Sequence, residues 1–427
     1  MNDPTEARSE GHLVLGQWFR RSFSALAAFF FVLMLVLPTT FQWQRGVILA
    51  VLVAVGVLAA GRLWLVSRDI LLLWLLTTCV GIFGILWGLL NGAPGAIQVS
   101  TVYLVWPMVY MLFVGFSRRP KTVIFFEKAL VVGIAIATLM TLALLIGTVF
   151  DRREWIIDVL AFQSASIGFS EGSVELKLLN LGTVIYGMPF LTALFFLPNS
   201  GAWFRRRGVL GLLLLLVFAV CIVSGRRAFW LLALATPLFV WGIFSLAGVR
   251  FRSRYLAVTS MFILVIALGA AVGLGIDFGV LSEKFLSAFD FSGEESASLR
   301  HQQFTALMSG WSDSPILGQG LGAAEKSMVR SEEMAWAYEL SYVALLFQTG
   351  LLGFIAYTAA VMWIFYTGVH IVRQRPEAAH LVLPLLVGLA GFLLVNGTNP
   401  YLSKFDYLWT IFLPIAAINV YRVGRWT

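Results

Sequence analysis

Polar residues in this chain come in short clusters separated by long apolar stretches, and that spacing predicts helices that cross a membrane. Such a helix needs about 20 mostly apolar residues, each adding about 1.5 Å. Twelve stretches approach or exceed that length. They are Ser22–Leu37, Val47–Val66, Ile70–Leu90, Ala96–Phe116, Val123–Phe150, Leu181–Leu197, Gly208–Val223, Ala228–Ala247, Tyr255–Ile276, Glu339–Gly368, Leu381–Asn396 and Tyr407–Tyr421. Two polar connections are long, 151–180 and 277–338, and the second includes "LRHQQFTALMSGW", which has helical spacing. The pattern predicts one all-α polytopic membrane domain over residues 1–427, with about twelve spans and short helices in its largest loop. No internal repeat or low-complexity tract interrupts it. Gly84 and Gly88 form a GxxxG pair, which lets helices approach closely.

Composition strengthens this reading. Of 427 residues, 59% are hydrophobic and 12% charged, against about 25% charged in soluble domains. A polar segment precedes the first span and no small-residue cleavage site follows it, so no cleavable signal peptide is expected. Cys79 and Cys221 lie within predicted spans and suggest neither a disulfide nor a metal site. The net charge of +8 does not imply nucleic acid, because the basic residues punctuate helix ends instead of forming one surface.

Charge also sets the orientation, since Lys and Arg favour cytoplasmic loops. With the N-terminus inside, 18 Lys and Arg fall inside and 11 outside, with Lys128 left within a span. Twelve spans then put both termini in the cytoplasm and both long loops outside. Few charges lie inside the spans; Glu127 and Lys128, near the inner end of theirs, are expected to pair with each other.

The break "SGRR", Ser224–Arg227, stands out. Without it, Val209–Ala247 would form a helix of roughly 60 Å, twice the hydrocarbon thickness, so the chain must turn there. Arg226 and Arg227 then sit on the outer side, at the start of the next helix. Unpaired backbone N–H groups and a partial positive charge gather at such a start. Two guanidiniums added to them make a site for a phosphate-like anion. The plainer alternative is that both arginines snorkel to lipid headgroups.

Three further stretches fall on the same side: "SLRHQQF" with Arg300 and His301, "DSPILGQGLG" from Asp313 to Gly322, and "YELSYVALLFQTGLLGF" from Tyr338 to Phe354. In their order, spacing and sidedness, Cys221 to Tyr357 resembles the bacterial O-antigen ligases and oligosaccharide repeat-unit polymerases. The shared features are a Ser-Gly-Arg break before a span, a loop Arg followed by a Pro-x-Leu-Gly-x-Gly turn, and a polar residue entering a Leu-Leu-x-x-x-Gly-Leu-Leu-Gly span. The resemblance implies a GT-C type glycosyltransferase of the bacterial inner membrane, working at its periplasmic face without a metal or other cofactor. Its donor would be an undecaprenyl-diphosphate-linked oligosaccharide, and a chain-length regulator is an implied partner. Carried over by position, Arg226 would hold the diphosphate, Arg300 would assist, and Glu339 would stand by the acceptor hydroxyl. Arg227, His301, Tyr338, Ser341 and Lys404 are the candidates for substrate contact. The chain departs from the ligases at Glu339-Leu340, where they carry His-Asn, and at Arg227, where a small residue is common.

The chemistry of the residues fits that reading. A lipid diphosphate is already a good leaving group, so catalysis mostly requires neutralising the charge that builds on it, which fixed cations in a water-poor site do well. No Asp-x-Asp motif is present, and arginine takes the place of a metal. Glu339, at the mouth of a span, is suited to orient or deprotonate the acceptor. "GFSEG", Gly168–Gly172, matches the nucleophile elbow by letters only, because that motif needs a strand-to-helix turn in an α/β sheet. "GQGLG" reads as a tight turn. The leading expectation is a repeat-unit polymerase. The alternatives are a ligase using another acceptor and, from another class, a transporter of an anionic glycolipid, which would place ionisable groups near the midplane.

Overall fold

The computed structural model describes residues 22–38, 40–149, 166–170, 173–177, 180–197, 207–224, 226–249, 265, 269, 295–329 and 334–423. Its helices are α1 (Ser22–Val36), α2 (Gln42–Leu63), α3 (Arg68–Leu90), α4 (Ala96–Phe116, with a π-helical turn at Thr101–Val105), α5 (Pro120–Val149), α6 (Leu181–Phe196), α7 (Arg207–Val223) and α8 (Arg227–Leu246). They continue with α9 (Glu295–Ser312), α10 (Ser341–Gln374), α11 (Ala379–Asn396) and α12 (Trp409–Val423). Among the described residues, six helices are long and apolar enough to cross a membrane, and α1, α2, α6 and α7 contribute shorter apolar helices. The protein is a helical membrane protein. The predicted ninth span, Tyr255–Ile276, lies outside the described residues except for Val265 and Gly269, both helical.

One element departs from the all-α expectation. Strands β1 (Ser166–Ser170) and β2 (Ser173–Lys177) pair antiparallel, with Ser166 opposite Lys177 and Ser170 opposite Ser173. Gly168 and Ser170 of "GFSEG" therefore belong to a strand whose partner is another strand, and the strand-to-helix elbow is not formed.

Burial sorts the helices. Nearly every residue of α6 is buried, as are most of α11 and α12, and these three form the centre with Trp409, Tyr186 and Phe190 among their largest sealed side chains. By contrast, α3 buries Gly81, Gly84, Ile85 and Gly88 along one face and exposes Leu72, Leu76 and Leu86 on the other. An apolar face left open in this way suits contact with lipid tails.

Two expectations need correction. Glu127 and Lys128 do not pair with each other: Glu127 is buried, with neither carboxylate oxygen hydrogen-bonded, while Lys128 is exposed. Neighbouring positions on a helix do not face one another. Second, the partner that approaches Gly84 and Gly88 most closely is a loop instead of a helix. The N–H of Leu321 donates to Gly84 O at 2.8 Å, and a Cβ on Gly88 would stand 2.4 Å from Leu321 O.

Candidate functional site

That loop exists because α10 is broken. Gly350 adopts φ 61°, ψ −171° inside α10, a conformation open to glycine and strained for other residues. In an unbroken helix the N–H groups of Leu351 and Leu352 would bond the carbonyls of Phe347 and Gln348. The break strands all four groups, and the Pro315–Gly320 turn satisfies each. Leu351 donates to Pro315 O (2.9 Å) and Leu352 to Ile316 O (3.1 Å), while Phe347 O accepts from Gln319 N–H (2.9 Å) and Gln348 O from Gly320 N–H (2.9 Å). On its other side the turn is tied to α3, where Trp87 Nε1 donates to Gly318 O at 3.0 Å. A Cβ on Gly320 would lie 2.3 Å from Gly88 Cα. Irregular backbone beside apolar helices is tolerated only when it is satisfied in this way.

The clamp brings α9 back against the start of α10. Arg300 Nε donates to Glu339 Oε2 at 3.0 Å, with side chains 36% and 23% exposed. Gln303, one turn along α9 and buried, accepts the Leu340 N–H at 2.9 Å. Tyr338 is buried, its hydroxyl accepting from the Glu325 N–H. Burial raises its pKa, with the Glu325 N–H acting in the opposite sense. Ser341 opens α10, and its hydroxyl donates to Asn396 O at the end of α11.

From Asn396 the contacts continue to the first arginine. Asn396 Oδ1 accepts the Leu402 N–H at 2.9 Å, and the neighbouring Tyr401 lies close enough to the Arg226 guanidinium to feel its charge. Burial raises the Tyr401 pKa, and Arg226 lowers it. Arg226 is the N-cap residue of α8, its carbonyl accepting the Phe229 N–H at 3.0 Å. Arg227 is the first residue of α8, and its side chain lies outside what is described. Lys404 is exposed in the same loop; packing around its ammonium lowers its pKa and Asp406 acts against that.

Beneath lies a group that no motif announced. Arg45, at the start of α2, forms a buried ion pair with Asp406, the two being 5% and 1% exposed. Arg45 also donates to Thr40 O at 3.4 Å. The pair is recessed. Arg422 and Asp69 meet at 3.3 Å, which aligns the far ends of α12 and α3. From that level the 23 residues of α3 rise about 34 Å and the 15 of α12 about 22 Å. The 401–407 loop on top of α12 therefore sits roughly 12 Å lower, with Phe405 stacked on Trp106 at 4.7 Å.

Among the expected site residues, then, Arg300 and Glu339 touch, Ser341 and Arg226 join them through Asn396 and Tyr401, and Lys404 edges the same recess. His301 is exposed on α9 and Tyr338 is turned toward Glu325. Among the described residues no three His, Cys, Asp or Glu side chains cluster closely enough to hold a metal ion. Asn396, Tyr401, Arg45 and Asp406 were missed; the polar run "NGTNPYLSKFD" between two apolar stretches was the available signal. No protein-family model matches the chain, and no curated protein matches it.

Proposed function

We propose that this protein is a twelve-span membrane glycosyltransferase of the bacterial inner membrane, with both termini cytoplasmic, that joins polyprenyl-diphosphate-linked oligosaccharide repeat units at the periplasmic face. The observation that carries the reading is the Arg300–Glu339 contact at the start of α10, linked through Ser341, Asn396 and Tyr401 to Arg226 at the start of α8. Cations suited to a diphosphate and a carboxylate suited to a hydroxyl thus lie along one connected run of contacts.

In this mechanism Arg226 and Arg300 bind the donor diphosphate, Arg300 exchanging its carboxylate partner for phosphate oxygens. Such charge-assisted bonds to a fork of N–H groups are strong and directional. Glu339, released from Arg300, accepts the proton of the acceptor hydroxyl. That oxygen attacks the anomeric carbon, and the bond to the lipid diphosphate breaks with its electron pair leaving on the diphosphate. The guanidiniums stabilise the charge as it develops. Among the described residues the carboxyl group buried within a span is that of Glu127, near the inner end of α5, whereas alternating access needs such groups near the midplane.

The purified protein supplied with defined lipid-linked repeat units, with and without a chelator, tests the proposal. It predicts a chelator-insensitive ladder of lengthened lipid-linked chains. Transfer only to a separate acceptor indicates a ligase, and unchanged donor that merely crosses a vesicle bilayer overturns the enzyme reading.

A further inference from the structure

A second site stands apart from the recess. A cavity of about 850 Å³ lies between α1, α2, α4 and α12, walled by apolar side chains such as Phe30, Leu52, Phe113 and Leu413. Along α4 it extends from Trp106 to Phe116, about 15 Å at the rise of a helix. That is half of the roughly 30 Å hydrocarbon core, the depth of one leaflet. Trp106, Tyr110 and Trp409 line the end nearer the Arg45–Asp406 pair. At the other end Arg118 and Arg119 line it, and both are exposed.

Among the described residues that line the cavity, the charged ones are Arg118 and Arg119. Ser117–Lys121 reads "SRRPK", three cations without an acid, and Pro120 begins the 30-residue helix α5, whose N-terminal dipole adds to the same potential. Basic pockets between membrane helices on the cytoplasmic side suit anionic lipid headgroups, and the apolar chamber behind this one suits acyl chains. We propose that this cavity binds an anionic diacyl phospholipid of the leaflet on the arginine side, its phosphate at Arg118 and Arg119 and its tails between α1, α2, α4 and α12. The site is independent of the glycosyl-transfer reading, because it opens at the opposite end of the bundle.

Native mass spectrometry of the full-length protein, exchanged into mild detergent with equal phosphatidylglycerol and phosphatidylcholine, tests this. The wild type is expected to retain one phosphatidylglycerol in preference to phosphatidylcholine. Each arginine near a membrane surface contributes about 1 kcal/mol toward an anionic lipid, so Arg118→Ala with Arg119→Ala should cut that preference roughly thirtyfold. Both positions are exposed, so folding should persist, as circular dichroism would check. Val53→Trp, which fills the chamber and leaves the arginines in place, should lose retention of both lipids. Equal retention of the two lipids by the wild type, an unchanged preference in the double variant, or a polyprenyl phosphate as the bound lipid would each overturn the proposal.

Discussion

Arg300–Glu339 and Arg45–Asp406 are both carboxylate–guanidinium pairs, linked through the same loop at one end of the bundle, yet their surroundings oppose each other. The first joins side chains 36% and 23% exposed, open to water and to a substrate. The second is sealed, at 6% and 1%, and Arg45 Nε has no hydrogen-bond partner among the described residues. Exposed pairs contribute little to stability, and their partners exchange readily. Buried pairs are costly to break, because the survivor is left charged without solvent. Labour is divided between them: the open pair can change partners during a reaction, and the sealed pair fixes the floor on which Tyr401 and Arg226 stand.

Substitutions can break that contrast. The largest stability effect is expected from Arg45→Ala, which strands Asp406 and should cost about 3–5 kcal/mol, read by equilibrium unfolding in detergent. Replacing both, Arg45→Met with Asp406→Leu, should recover most of that loss. Next comes Gly350→Ala, which demands a left-handed conformation from alanine and sets a Cβ 2.3 Å from Ile316 O. It should cost about 1–3 kcal/mol through backbone strain alone and loosen the turn that seats α9. The smallest stability effect belongs to Glu339→Gln, under about 1 kcal/mol for a solvent-open pair. Its transfer rate should nonetheless fall about 100-fold or more if the carboxylate takes the proton. Arg226→Lys retains the charge without the fork and should lower product at unchanged protein level; wild-type turnover in either variant would remove that residue from the mechanism.

The sequence made much of the helical frame legible, because apolar length is a local property. The start of α8 at Arg226–Arg227 and the start of α10 beside Glu339 were both readable from polar breaks. What could not be read depended on contacts between distant residues. The glycines at 84, 88, 318, 320 and 350 looked like separate features, a helix-packing pair and a tight turn. In the structure they form one seam in which a helix break and a turn satisfy each other's backbone. Arg45 and Asp406 are 361 positions apart, and each lies in a polar connection near a span end. Glu127 seemed to have a partner in Lys128 because adjacency in sequence was mistaken for adjacency in space.

Sidedness bears most directly on the claim that the arginine recess handles a lipid diphosphate outside the cytoplasm. In a cysteine-free background, Lys404→Cys beside the recess and Arg119→Cys at the opposite end can each be labelled with a membrane-impermeant maleimide in spheroplasts. Cysteine at 404 is expected to react in intact spheroplasts and cysteine at 119 only after permeabilisation. The reverse pattern would put Arg226, Arg300 and Glu339 in the cytosol and contradict that claim.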